Sequence, residues 1–197
     1  AVERDVRNRA AHCRDEIAFA SARAGITGRL VEKQQRGELP TRTTHNDTKV
    51  NNVMIDDATG EGICVIDLDT VMPGLTLYDF GDCVRSSTAV SAEDENDLSK
   101  VGCNMSCFRA LVDGYLSTSR DFLTQAEIEE LPFSGRLISF EIGLRFLTDY
   151  LEGDVYFKTH RPGQNLDRAR VQFRQSEVME ERADEMQAIV NDVLDTT

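Results

Sequence analysis

The chain has 197 residues, 40% hydrophobic and 29% charged, enough to bury one sizeable core, and no shift in composition demands a second domain. Its 35 acids against 22 Lys and Arg leave a net charge of −13, so the average surface repels phosphate backbones and anionic lipid, which makes nucleic acid and membranes poor partners. No apolar run nears the roughly 20 residues of a spanning helix, and the opening AVERDVRNRA is too charged for a signal peptide, so a cytoplasmic home is expected.

In chain order, apolar or small residues recur at Val2, Val6, Ala10, Cys13, Ile17, Ala20 and Ala24 before Gly25, a spacing that predicts an amphipathic helix over 2–24. A short helix over Leu30 to Arg36 follows, and Gly37 and Pro40 punctuate the approach to a polar cluster. The period then changes. Val53 to Ile55 and Ile63 to Asp67 are short β-prone runs separated by DDATGEG, which predicts a hairpin. Beyond it, Ser91 is placed to cap a helix with acids in its first turn and apolar positions through Leu111 and Tyr115. Thr124 and Glu127 stand at capping-box spacing, Leu137 to Leu151 has the apolar width of a central core helix, and Arg168 to Leu194 closes the chain as a charged amphipathic helix. The expected fold is mainly α with a small β-hairpin, in one unit over 1–197.

The five cysteines are odd in number and read as reduced core thiols; Cys103 and Cys107 would share a helix face, with no CxxC and no histidine beside them to complete a metal set. Of the three histidines, His12 and His160 read as surface residues, and the acidic runs Glu93 to Asp97 and Met179 to Met186 as solvated helix faces.

The stretch THNDTKVNNVMIDD, Thr44 to Asp57, crowds His45, Asp47, Lys49 and two asparagines ahead of the first predicted strand. His45, Asp47 and Asn52 follow the pattern H-x-D-x-x-x-x-N, in which an aspartate orients a hydroxyl and an asparagine holds a metal. The second predicted strand delivers Asp67, with Asp69 two residues on, carboxylates suited to magnesium. A hydroxyl attacking a γ-phosphoryl needs a carboxylate within hydrogen-bond reach, here Asp47, and cations for the charge that develops on the phosphoryl oxygens, here Lys49 and Mg²⁺. The Asn52 amide oxygen would bind the metal without adding negative charge beside the phosphates, and His45 reads as a scaffold residue of the loop.

HNDTKVNN followed by CVIDLDTVMPGLTLYDFGD resembles the phosphotransferase family of aminoglycoside and choline kinases, with wording closest to the N-acetylhexosamine 1-kinases, and the likeness runs on through RFLTDYLEGDVYF and NLDRARVQ. The resemblance implies the C-terminal lobe of a protein-kinase-like fold and ATP-dependent phosphorylation of a sugar, at the anomeric hydroxyl of an N-acetylhexosamine. It implies Asp47 as base, Asn52 and Asp67 as magnesium ligands with Asp69 a second carboxylate, Arg145 and Tyr156 at the sugar, and Asp79 as a brace of the loop. Only 44 residues precede His45, and they read as helices, not as the β-sheet lobe that clamps the nucleotide in this family. The chain therefore looks like the C-terminal lobe alone, with exposed apolar surface, a homodimer or a separate upper-lobe partner expected.

Other readings stand beside these. The chain could be a sugar-binding fragment without turnover, or a kinase for choline, homoserine or an aminoglycoside, although the absence of Trp leaves little for a cationic acceptor. Arg145 could instead pair with Glu141 one turn earlier, and Tyr156 could simply half-bury its ring.

Overall fold

A 28-residue helix, α5 (Gln125–Glu152), carries the architecture of the computed structural model, which describes residues 1–196. It starts in the capping box read from sequence: Thr124 Oγ1 accepts from Glu127 N at 3.2 Å and Glu127 Oε2 accepts from Thr124 N at 2.7 Å. It passes through Pro132, buried like its neighbours, and stops at Gly153, whose φ of +109° suits a residue without a Cβ. The separately predicted capped start and core helix are thus one element. Helices α1 (Arg14–Arg23), α2 (Arg29–Gln35), α3 (Thr76–Ser87), α4 (Met105–Ser119), α6 (Gln164–Glu181) and α7 (Ala183–Thr196) surround it, α3 and α6 packing most closely against it.

Two apolar clusters divide along α5. Phe80, Phe108, Leu116, Leu131 and Met186 join α3, α4 and α7 to its N-terminal half. Phe140, Phe146, Leu151, Phe173 and Cys13 join α1 and α6 to its C-terminal half. Close approach of α3 to α5 depends on Gly81, where an added Cβ would meet the Ser134 carbonyl oxygen at 2.6 Å.

The strands lie between α2 and α3. β2 (Val53–Ile55) pairs antiparallel with β3 (Gly62–Val65), the hairpin expected from sequence, with an irregularity at Met54 and Ile55. Around it, β1 (Arg42–Thr44) pairs antiparallel with β4 (Met72–Gly74), so one two-stranded sheet encloses the hairpin's chain segment. This outer pair was not anticipated: each strand has three residues, and β4 contains Pro73, which breaks a strand pattern.

Several helix boundaries also differ from the sequence reading. The helix expected from Val2 begins at Arg14, because Asp5 and Asn8 take left-handed φ of 33° and 53° and the Asp5 carboxylate accepts from the amides of Arg9 and Ala10. Val2 and Val6 are exposed in consequence. Ser91 caps nothing. The chain there stays irregular, Ala89 bridges Cys103, and Asn104 caps α4 by accepting from Ser106 N and Cys107 N. Cys103 therefore precedes α4 instead of sharing its face with Cys107, and Cys64 and Cys107 are exposed, so only Cys13 and Cys103 are buried thiols. The closing helix is two, α6 and α7, parted at Arg182. The Glu93–Asp97 run is not merely solvated: Glu93 pairs with Arg168, and Asp94 accepts from Arg161 and Gln164. In the second acidic run, Glu180 pairs with Arg23 and Arg136.

Candidate active site

The loop between β1 and β2 is folded by its own short polar side chains. Asp79, in the first turn of α3, accepts from the backbone amides of His45 and Asn46, both at 2.7 Å. The backbone carbonyl of Asp79 also accepts from Thr48 Oγ1 at 2.6 Å. His45 Nδ1 accepts from Asp47 N, so its proton sits on Nε2, which donates to the Ile66 carbonyl at 2.9 Å. Asn46 holds a left-handed φ of 63° while its Nδ2 donates to the Thr70 carbonyl at 3.0 Å. His45 and Asp79 thus lie behind the loop and act on its backbone.

Asp47 is the centre of the site. Its Oδ2 accepts from Lys49 Nζ at 2.5 Å and from Asn52 Nδ2 at 2.9 Å. Burial pushes the Asp47 carboxyl up, but the Lys49 and Asn52 hydrogen bonds outweigh it and hold the group below its ordinary range. It is therefore an ionised acceptor at neutral pH.

Asn52 is buried and spends its amide NH₂ on two oxygens of Asp47 that can only accept, the backbone carbonyl at 2.8 Å and the carboxylate. Its Oδ1 has no donor among the described residues. The β2–β3 register continues through Ile66 N donating to the Asn52 carbonyl at 2.9 Å, and Asp67 follows directly, one step past that pair. Strand β3 ends before Asp67, which takes a left-handed φ of 63° and opens a 3₁₀ turn containing Asp69. Both carboxylates are exposed and make no hydrogen bond or ion pair among the described residues. This oxygen-only set of one amide and two carboxylates suits magnesium, which keeps several waters and needs few protein ligands. Among the described residues no three His, Cys, Asp or Glu side chains converge as a metal cluster.

A cleft of about 490 Å³ brings four of the expected residues together: Asp47, Lys49, Arg145 and Tyr156 all line it. Asn52, Asp67, Asp69, His45 and Asp79 do not. Arg145 is exposed on α5 and makes no ion pair with Glu141; its guanidinium instead lies 5.8 Å from the Tyr156 ring and 5.5 Å from the Phe157 ring. Tyr156 is 73% exposed, so its ring is not half-buried packing.

Residues to which the sequence reading gave no role in the site complete the cleft. Arg85, Glu93, Lys158 and Arg168 line it as well. Asp149, buried near the end of α5, shapes its wall: Oδ1 accepts from the amides of Val155 and Tyr156 at 2.9 and 2.8 Å, and Oδ2 from Phe157 N at 2.9 Å and Asn165 Nδ2 at 2.8 Å. The one available sequence signal was an aspartate set among Phe146, Leu147, Tyr150 and Leu151 at the helix end.

No helix among the described residues is long and apolar enough to cross a membrane. Residues 2–111 match the family model described as "Phosphotransferase enzyme family", a span that runs from the N-terminal turns through the loop, the hairpin and α3 into α4. Arg145 and Tyr156 lie outside it. Since the match covers more than half of the chain and contains the whole Asp47 loop, the protein belongs to the phosphotransferase enzyme family.

Proposed function

We propose that this chain is the C-terminal lobe of a protein-kinase-like fold that transfers the γ-phosphoryl of ATP to a sugar hydroxyl. The observation that carries this reading is the shared cleft, which an ionised Asp47, paired with Lys49, lines together with Arg145 and Tyr156. Arg145 and Tyr156 would hold the sugar. Asp47 would accept a hydrogen bond from the attacking hydroxyl and take its proton as the oxygen bonds to the γ-phosphorus and the bond to ADP breaks. Lys49 would offset charge on the phosphoryl oxygens. Asn52 and Asp67, with Asp69 beside them, would hold magnesium, which when bound neutralises phosphate charge. Following the sequence resemblance, the acceptor would be the anomeric hydroxyl of an N-acetylhexosamine.

The test is ³¹P NMR of the chain incubated with Mg-ATP and N-acetylglucosamine or N-acetylgalactosamine. A sugar 1-phosphate signal that disappears in Asp47→Asn, with sugar binding retained by calorimetry, supports the reading. Product formed by Asp47→Asn at the normal rate sinks it. A second reading, a lobe that binds sugar without turning it over by itself, draws on the helical and turn structure of residues 1–41, which contain no sheet to clamp a nucleotide. Calorimetric sugar binding without ATP turnover would favour it.

A further inference from the structure

Charge is distributed unevenly around the loop. From Val50 to Val84 the sequence has no Lys, Arg or His and seven acids, so the hairpin side of the site offers no side-chain cation. The cleft is lined by five cations, Lys49, Arg85, Arg145, Lys158 and Arg168, against the two carboxylates Asp47 and Glu93. In a chain of net charge −13 this is a local reversal of sign.

Three of the five are already committed. Lys49 pairs with Asp47, Arg85 Nε with Asp82 Oδ1 at 2.8 Å, and Arg168 Nε with Glu93 Oε2 at 3.1 Å. Arg85 and Arg168 are also largely buried, with 12% and 15% of their side chains exposed. Arg145 and Lys158 have no carboxylate partner among the described residues. The nearby acids do not cancel them: Asp149 is spent on four donors and Glu152 pairs with Arg4, while Glu141 forms no ion pair with Arg145. Both free cations stand beside Tyr156, on the wall assigned above to the acceptor.

We propose that the accepted N-acetylhexosamine carries a further anionic group away from its anomeric hydroxyl, a carboxylate or a phosphate, held by Lys158 and Arg145. The inference rests on the reading of this cleft as the acceptor site. A neutral sugar would leave two cations unmatched in the cleft, whereas an anion gains charge-assisted hydrogen bonds from an ammonium and a planar guanidinium.

Calorimetry with the chain would compare N-acetylglucosamine, its uronate and its 6-phosphate, in wild type, Lys158→Gln and Tyr156→Ala. At least one anionic sugar should bind about tenfold more tightly than N-acetylglucosamine at low salt, and that ratio should fall below about twofold in Lys158→Gln. Equal affinities in wild type, or a ratio unchanged by Lys158→Gln, would overturn the proposal. The nucleotide is the other source of anions, so Mg-AMP-PNP is titrated too. If Lys158→Gln weakens AMP-PNP and leaves the sugar ratio intact, the cations serve nucleotide phosphates and the proposal fails. Failure of the acceptor-site reading looks different: sugar affinities would then be untouched by Tyr156→Ala.

Discussion

Replacing Asp149 by asparagine is the sharpest test of how the cleft wall is built. The two carboxylate oxygens serve four donors, Val155 N and Tyr156 N on one, Phe157 N and Asn165 Nδ2 on the other, and the residue is 4% exposed. Whichever way the new amide is turned, its NH₂ faces two donors that it cannot accept from. Each donor left unsatisfied in a buried setting costs about 1–3 kcal/mol, so Asp149→Asn should lose about 2–6 kcal/mol. Against a typical domain stability of about 5–15 kcal/mol this is a large fraction. Urea unfolding followed by circular dichroism should show the midpoint falling by roughly 1–3 M for a slope of about 2 kcal/mol/M. Sugar binding should weaken as well, because the loop that loses its anchor carries Tyr156. A stability loss below about 1 kcal/mol would refute the claim that a single carboxylate organises residues 155–157.

Asp47→Asn, assayed for phosphoryl transfer in the active enzyme, should lower turnover by about 10²–10⁴ with sugar affinity nearly unchanged, as expected for loss of a positioned base. Arg42→Ala should cost about 3–5 kcal/mol in urea unfolding, because Glu127, with 1% of its side chain exposed, would be left as a buried charge without its partner at 2.7 Å. Burial raises the Glu127 carboxyl, but hydrogen bonds from Arg42 and Thr124 outweigh it and keep it below its ordinary value in the folded state. Its stabilisation is therefore complete above the unfolded pKa of about 4.3 and is lost as pH falls through the lower folded value, so the stability gap between wild type and Glu127→Gln should stay flat from pH 7 to about 5 and shrink only below that. Gly81→Ala should lose about 1–3 kcal/mol or more, since the new methyl would meet Ser134 backbone at 2.6 and 2.8 Å and Ile138 Cγ1 at 2.7 Å; an unchanged melting temperature would show that α3 and α5 separate freely.

The sequence reading succeeded where a local pattern and the tertiary demand agreed. Two β-branched runs around DDATGEG gave the hairpin, and Thr124 with Glu127 gave the start of α5, because each signal is complete within a few residues. It failed where short polar side chains bonded to nearby backbone. The apolar spacing from Val2 continued through Asp5 and Asn8, yet the Asp5 carboxylate stabilises a turn there and delays α1 to Arg14. Ser91 looked like a cap because acids follow it, but Glu93 and Asp94 answer to Arg168 and Arg161, and residues that turn away toward those partners do not begin a helix.

The site divides along the same line. His45, Asp47, Asn52, Asp67 and Asp79 stand within 35 residues of one another, so the loop and the strand after it could be read together, and the family resemblance of YDFGD offered Asp79 as a brace of the loop. The cleft wall could not be read in this way. Arg85, Glu93, Lys158 and Arg168 reach it from α3, the irregular segment before α4, the α5–α6 loop and α6, and none has a sequence pattern that names its neighbours. Arg145 shows the limit most clearly. Glu141 four residues earlier offered a helix-surface ion pair, but Asp149 folds residues 155–157 back beside α5 and brings two aromatic rings within 6 Å of the guanidinium instead. That substitution of rings for a carboxylate leaves the Arg145 charge uncancelled, and with Lys158 two residues beyond Tyr156 it gives the cleft two cations without a carboxylate partner among the described residues. The loop is therefore local in sequence, whereas the cleft wall is set by contacts that form only when α5 and the chain after it have folded together.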